Sequence, residues 1–129
     1  MYNGYVTKFF ILLAVAAVSS PAQDWARQKL NKSPRHGEWV TIKHGDSAVE
    51  TFVVYPEIKS KAPVVLVIHE IFGMSDWVQE VADEFADAGY IAIAPDLLSG
   101  MGPSGKGTSS FPQGEVTKAV GAQRGSDHR

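Results

Sequence analysis

Between Val64 and Gly73 the chain reads Val-Val-Leu-Val-Ile-His-Glu-Ile-Phe-Gly, directly after Pro63. Five uninterrupted aliphatic residues open this stretch. Such a run reads as a strand buried on both faces, as inside a parallel sheet. No other segment constrains the fold as much, because such a strand needs neighbours at its edges and cover on both faces. At its C-terminal end two ionisable residues, His69 and Glu70, interrupt the apolar run. The crevice beyond the carboxyl ends of the strands is where open α/β sheets bind ligands.

A helix is expected next, from about Asp76 to Ala88. Asp76 is the expected N-cap, with Gln79 completing a capping box. Trp77, Val81 and Phe85 recur every four residues, with Val78, Ala82 and Ala86 beside them. Together they form an apolar stripe able to lie on a sheet, which places Trp77 and Phe85 in the core. Glu80, Asp83, Glu84 and Asp87 take the opposite, solvated face. Gly89 suits the residue just past the helix end. Tyr90–Ala94 is a second buried strand, stopped by Pro95-Asp96. Val64 to Ala94 has the length of a βαβ unit with its right-handed crossover.

The N-terminus reads as a targeting segment over residues 1–22. Lys8 precedes the apolar run Phe9–Val18, and small residues at Ser20 and Ala22 suit cleavage after Ala22. The run is too short to span a bilayer, so no stable membrane anchor is expected after cleavage. A periplasmic or secreted protein is expected. Residues 23–36 read as a polar arm whose Arg27, Lys29, Lys32 and Arg35 are solvated. Glu38–Lys43 and Ala48–Tyr55 form a β-hairpin about His44-Gly45-Asp46-Ser47, with Val40, Ile42, Val49 and Phe52 supplying one apolar face. Leu97–Gln113 is a long Gly/Ser/Pro-rich surface loop, Gly114–Ala122 a short helix, and residues 123–129 a polar tail.

The chain contains no cysteine, which excludes disulfides, thiolate metal sites and a thiol nucleophile within these residues. A net charge of −2 gives no bias toward nucleic acid. No cofactor motif or metal-ligand spacing occurs: Gly100-Met-Gly-Pro lacks the phosphate-loop spacing, and Lys106 has no Ser/Thr after it. Neighbouring His69 and Glu70 point to opposite faces of a regular strand and cannot chelate one ion from it.

Val-Ile-His-Glu-Ile-Phe-Gly, then an amphipathic helix, then Ala-Gly-Tyr-Ile-Ala-Ile-Ala-Pro-Asp-Leu-Leu resembles the dienelactone hydrolase family of α/β hydrolases, over about Gly37 to Gly121. The resemblance implies an α/β fold, here its N-terminal portion over residues 37–122. A β-hairpin and a parallel βαβ unit would make up an incomplete sheet. It implies hydrolysis of a small-molecule ester or lactone through an acyl-enzyme, with a cysteine nucleophile at a strand-to-helix turn, a histidine and an aspartate. Glu70 corresponds to the glutamate that holds the thiol at rest, and Ile71 to a backbone N–H of the oxyanion hole. The loop after this strand is where an α/β hydrolase places one oxyanion donor.

No Gly-x-Cys-x-Gly or Gly-x-Ser-x-Gly occurs in the chain, and where the family's lactone hydrolases carry a carboxylate-gripping arginine this chain has Gly100. The chain is therefore expected to be inactive alone. The alternatives are a non-catalytic exported fragment and a small binding module. Glu70 also reads as a strand-end carboxylate satisfied by nearby backbone N–H groups. His69 reads as structural, bonded to a neighbouring loop, and Asp96 as a turn former. With so few helices to cover the βαβ strands, Val65, Val67, Ile91 and Ile93, or their alternating partners, should stay partly exposed beside unpaired edges. The expected result is a marginal, self-associating species.

Overall fold

A computed structural model describes residues 21–112 and 114–126. All of the leader segment except Pro21 and Ala22, and the last residues of the tail, lie outside these. The order is α1 (Pro21–Leu30), β1 (Gly37–His44), β2 (Ser47–Val54), β3 (Val64–Leu66), α2 (Asp76–Asp87), β4 (Ile91–Pro95) and α3 (Val116–Ser126). One four-stranded sheet runs β1-β2-β4-β3. β1 and β2 form the expected hairpin, and β3 and β4 the expected parallel pair, Val64 opposite Ile91 and Leu66 opposite Ile93. β2 joins the two units by pairing antiparallel with β4.

The long aliphatic run forms only a three-residue strand, and β3 is the sheet's edge. Val65 and Val67 are half-buried, whereas Val64, Leu66 and Ile68 are 57–60% exposed. Ile91 and Ile93 are half-buried. The expected partial exposure of these strands is thus present. A run that reads as buried on both faces has cover on one.

That cover is α2. Phe52, Val54, Ala92 and Ala94 of the sheet meet Met74, Val78, Ala82 and Ala86, with Val67 packed against them. The stripe facing the sheet is therefore Val78, Ala82 and Ala86, and the placement of Trp77 and Phe85 in the core is corrected: they are 45% and 38% exposed. Alanines on both surfaces let helix and sheet approach closely, an approach that indole and phenyl rings at the contact would prevent. Phe52 also changes sides. It pairs with Trp39 and Ala94, so it faces α2, away from Val40, Ile42 and Val49. Residues of opposite parity along a strand cannot share a face.

α2 is capped by Ser75, not by Asp76: Ser75 Oγ accepts from Val78 N at 3.4 Å, and Asp76 is the first helical residue. The helix ends as expected, with Gly89 left-handed at φ 95°.

The polar arm is corrected most. Residues 21–30 form α1, which packs on α2, and the acidic face of α2 is its docking surface rather than a solvated one. Arg27 pairs with Asp76 at 2.7 Å, and Lys29 with Glu80 at 2.5 Å and with Glu84. Just beyond α1, Arg35 grips Asp83 through Nε (3.0 Å) and Nη2 (2.5 Å) and reaches Asp87 at 2.6 Å. Ser33 Oγ donates to Asp83 at 2.6 Å. Glu80 and Asp83 are consequently only 2% and 4% exposed. Burial alone would push the Asp83 carboxyl up; the Arg35 and Ser33 hydrogen bonds outweigh it and hold it below its ordinary value. Lys29, bonded to Glu80 and Glu84, is pushed up to about 12.

Candidate functional site

The chain leaves β3 through Val67, whose N–H still donates to Ile93 O at 2.8 Å, and turns at His69. His69 is buried, and its ring joins two loops. Nε2 lies 3.0 Å from Leu97 N, and Nδ1 lies 2.9 Å from Glu70 O. A backbone N–H can only donate, so Nε2 accepts. Nδ1 must then carry the proton to bond the Glu70 carbonyl. Both ring nitrogens are occupied by backbone, as the structural reading of His69 expects. Asp96 Oδ1 is 3.8 Å from Nε2, beyond hydrogen-bond reach.

Asp96 organises the loop after β4. Its carboxylate accepts from Leu98 N (3.1 Å), Thr108 N (2.7 Å) and Thr108 Oγ1 (2.7 Å). It does form a turn, and it also ties residues 97–98 to residue 108. Leu98 is fully buried beneath it. The stretch expected as a long surface loop is folded around one buried carboxylate, with short 3₁₀ turns at Pro103–Gly105 and Thr108–Ser110. Gly107 permits this, since a Cβ there would sit 2.2 Å from Asp96 Oδ2. Thr108 Oγ1 also accepts from Met74 N at 3.0 Å, which fixes the start of α2. Gly73 lies beside it at φ 68°, where a Cβ would come within 2.6 Å of Thr108 Oγ1. The glycine of Glu-Ile-Phe-Gly is thus required by both conformation and space.

Glu70 and Ile71 sit on the outer side of this scaffold, both exposed. Ile71 N donates to Glu70 Oε2 at 3.0 Å. The carboxylate occupies the very N–H that the resemblance assigns to an oxyanion hole. An anionic oxygen is therefore already accommodated at that donor.

A cleft of about 1000 Å³ opens nearby, between the N-terminal ends of α1, α2 and α3 and the turns around residues 105–109. Trp39, Phe72 and Met74 give it an apolar wall, and Arg27 and Lys106 stand at it as cations. Glu70 and Ile71 are not among its lining residues; Phe72 is the nearest residue along the chain that is. The Ile71 amide and the cleft are separate features. Among the described residues no cluster of His, Asp and Glu is arranged to hold a metal ion.

A model of the dienelactone hydrolase family matches residues 49–125. The chain belongs to this family. A protein of Escherichia coli (strain K12) named as a hydrolase fragment, YghX, is 42% identical over 68 residues, which are 50% of this chain and 58% of that one. The carboxymethylenebutenolidase of Pseudomonas putida is 33% identical over 78 residues, 60% of this chain and 32% of that enzyme. The solved structure m3DLH superposes with a TM-score of 0.56 at 23% identity, over 72% of this chain and 37% of that one. The chain thus spans 58% of the first relative and about a third of the other two. The superposition supports the α/β fold with a partial sheet. β1 lies before the matched segment, so the family match begins at β2.

Proposed function

We propose that the chain is the N-terminal portion of an exported hydrolase of small-molecule esters or lactones, acting through an acyl-enzyme, with Ile71 as oxyanion donor and Glu70 as its resting occupant. The observation that carries this is the Ile71 N–H held by the Glu70 carboxylate at 3.0 Å on an exposed turn beyond a parallel strand. In acyl transfer the carbonyl oxygen of the substrate gains negative charge, and a pre-aimed backbone N–H stabilises it, typically by about 2.7–4 kcal/mol per donor. A carboxylate that binds this donor at rest must swing away for the substrate oxygen to take its place. It is then free to act on a neighbouring nucleophile.

Such a nucleophile needs a base within hydrogen-bond reach. The chain has no cysteine. Ser33, Ser75, Ser99 and Ser110 are bonded to an aspartate or to backbone, and His69 is committed to Glu70 O and Leu97 N. The expected result with an activated aryl ester is therefore no turnover above background. Turnover abolished by changing one serine would reveal a nucleophile and defeat this reading.

Export follows from the leader expected over residues 1–22. The mature chain should start at Gln23, as read by intact mass after expression in a secreting host. An uncleaved chain recovered in the membrane fraction would contradict this.

A further inference from the structure

We infer that His69 is the positioning residue of the oxyanion donor: its Nδ1–H holds the Glu70 carbonyl and so fixes the direction of the Ile71 N–H. The inference rests on the oxyanion reading of Ile71 for its purpose, but not for its geometry. The Glu70 C=O and the Ile71 N–H belong to one peptide group, which is planar. None of the described peptide bonds is cis, so this C=O and N–H point in opposite directions. Anchoring the oxygen therefore aims the N–H.

The anchor is itself fixed. The ring is buried, and its other nitrogen accepts from Leu97 N at 3.0 Å. Leu97 follows Asp96, whose carboxylate is locked by Leu98 N and Thr108. The direction of the Ile71 N–H is thus tied through one imidazole to the loop after β4, 28 residues away from His69 along the chain. The Glu70 carboxylate cannot supply this orientation. It is exposed, it hangs from the same residue whose carbonyl is held, and it must leave for a substrate to bind. Only a group with one donor and one acceptor at imidazole spacing bridges a C=O and an N–H. A glutamine amide also provides both; a leucine provides neither.

The test is the orientation of the Ile71 N–H bond, read from residual dipolar couplings on the ¹⁵N-labelled full chain below the concentration at which it associates. In the unaltered protein and in His69→Gln the Ile71 coupling should fit the alignment defined by α2 and β4. In His69→Leu it should fall outside that fit while α2 and β4 still satisfy it. Glu70→Ala should leave it in the fit. An Ile71 coupling unchanged in His69→Leu, or lost in Glu70→Ala alone, overturns the inference. If His69→Leu does not fold, the unaltered protein still decides through the ¹⁵N shifts of the imidazole. Nδ1 protonated and Nε2 bare supports the bridge, and the opposite tautomer refutes it. None of these readings depends on hydrolysis, so a failure of the ester reading would not be mistaken for a failure of this one.

Discussion

Arg35→Ala should destabilise the protein by about 3–5 kcal/mol, the range for removing one partner of a buried ion pair. That is a large fraction of the roughly 5–15 kcal/mol that holds a typical domain together. Arg35 is bidentate on Asp83, and their side chains are only 14% and 5% exposed. Removal leaves Asp83 buried with the Ser33 hydroxyl as its remaining partner. The pH dependence distinguishes this from simple loss of packing. In the unaltered protein the Asp83 carboxyl lies below its ordinary value, so its contribution is present above the unfolded value, about 3.9. That contribution is lost as pH falls through the folded value. In Arg35→Ala burial is opposed only by the Ser33 hydroxyl and the Lys29 charge, so the folded value rises toward or past the unfolded one. The variant therefore draws little or no stability from an ionised Asp83 and loses less than the unaltered protein as pH falls. Urea midpoints at pH 7 and pH 4.5 should therefore show a smaller gap between the two proteins at the lower pH. A loss within about 0.5 kcal/mol at pH 7, as for an ordinary surface substitution, would mean that the pair does not hold α1.

This clasp shows what kind of information a single sequence conceals. Arg27, Lys29 and Arg35 read as a solvated arm, and Glu80, Asp83 and Glu84 as the wet side of a helix. Each reading is sound locally. The two charge sets lie about fifty residues apart, and nothing in either period says that they meet. The βαβ unit was legible because its signals are local and agree. An aliphatic run, a 3.6-residue period, a terminal glycine and a second run all call for the same element order. Which stripe of α2 turns down was not legible, because Trp77 and Phe85 outrank alanine in hydrophobicity yet are too bulky for the contact with Ala92 and Ala94. Within the candidate site, Glu70 and Ile71 are singled out only by their motif, while the loop-bonding reading of His69 agrees with its hydrogen bonds to Glu70 O and Leu97 N. Asp96 was read as a turn former, but its grip on Thr108 joins residues 12 apart across a glycine-rich loop. The signals that could have exposed it are the small residues Gly107 and Thr108, which leave room for a buried carboxylate.

The unaltered chain should self-associate through β3, and Leu66→Lys should suppress this without unfolding the monomer. Among the described residues β3 pairs with β4 alone and is an edge of the sheet. Its outer N–H and C=O groups are available to a further strand. Val64, Leu66 and Ile68 alternate with Val65 and Val67, so they project to the face away from α2, and each is more than half exposed. Ile71 and Phe72, 44% and 57% exposed, continue the apolar surface past the strand end. Natural edges are usually blunted by lysine, proline or a bulge. Here Pro63 precedes the strand, and no charge interrupts Val64 to Ile68. A lysine at Leu66 adds that charge at an exposed position and removes no core contact. A lysine at Val65 would instead enter the face covered by α2 and should unfold the protein. Sedimentation velocity over a hundredfold concentration range should show dimers or larger species for the unaltered chain and a shift of at least tenfold in their onset for Leu66→Lys. Circular dichroism should show unchanged helix content in that variant. A monodisperse, sharply unfolding monomer at every concentration would mean that the exposed edge is tolerated, and would favour a self-sufficient binding module over a hydrolase portion awaiting further strands.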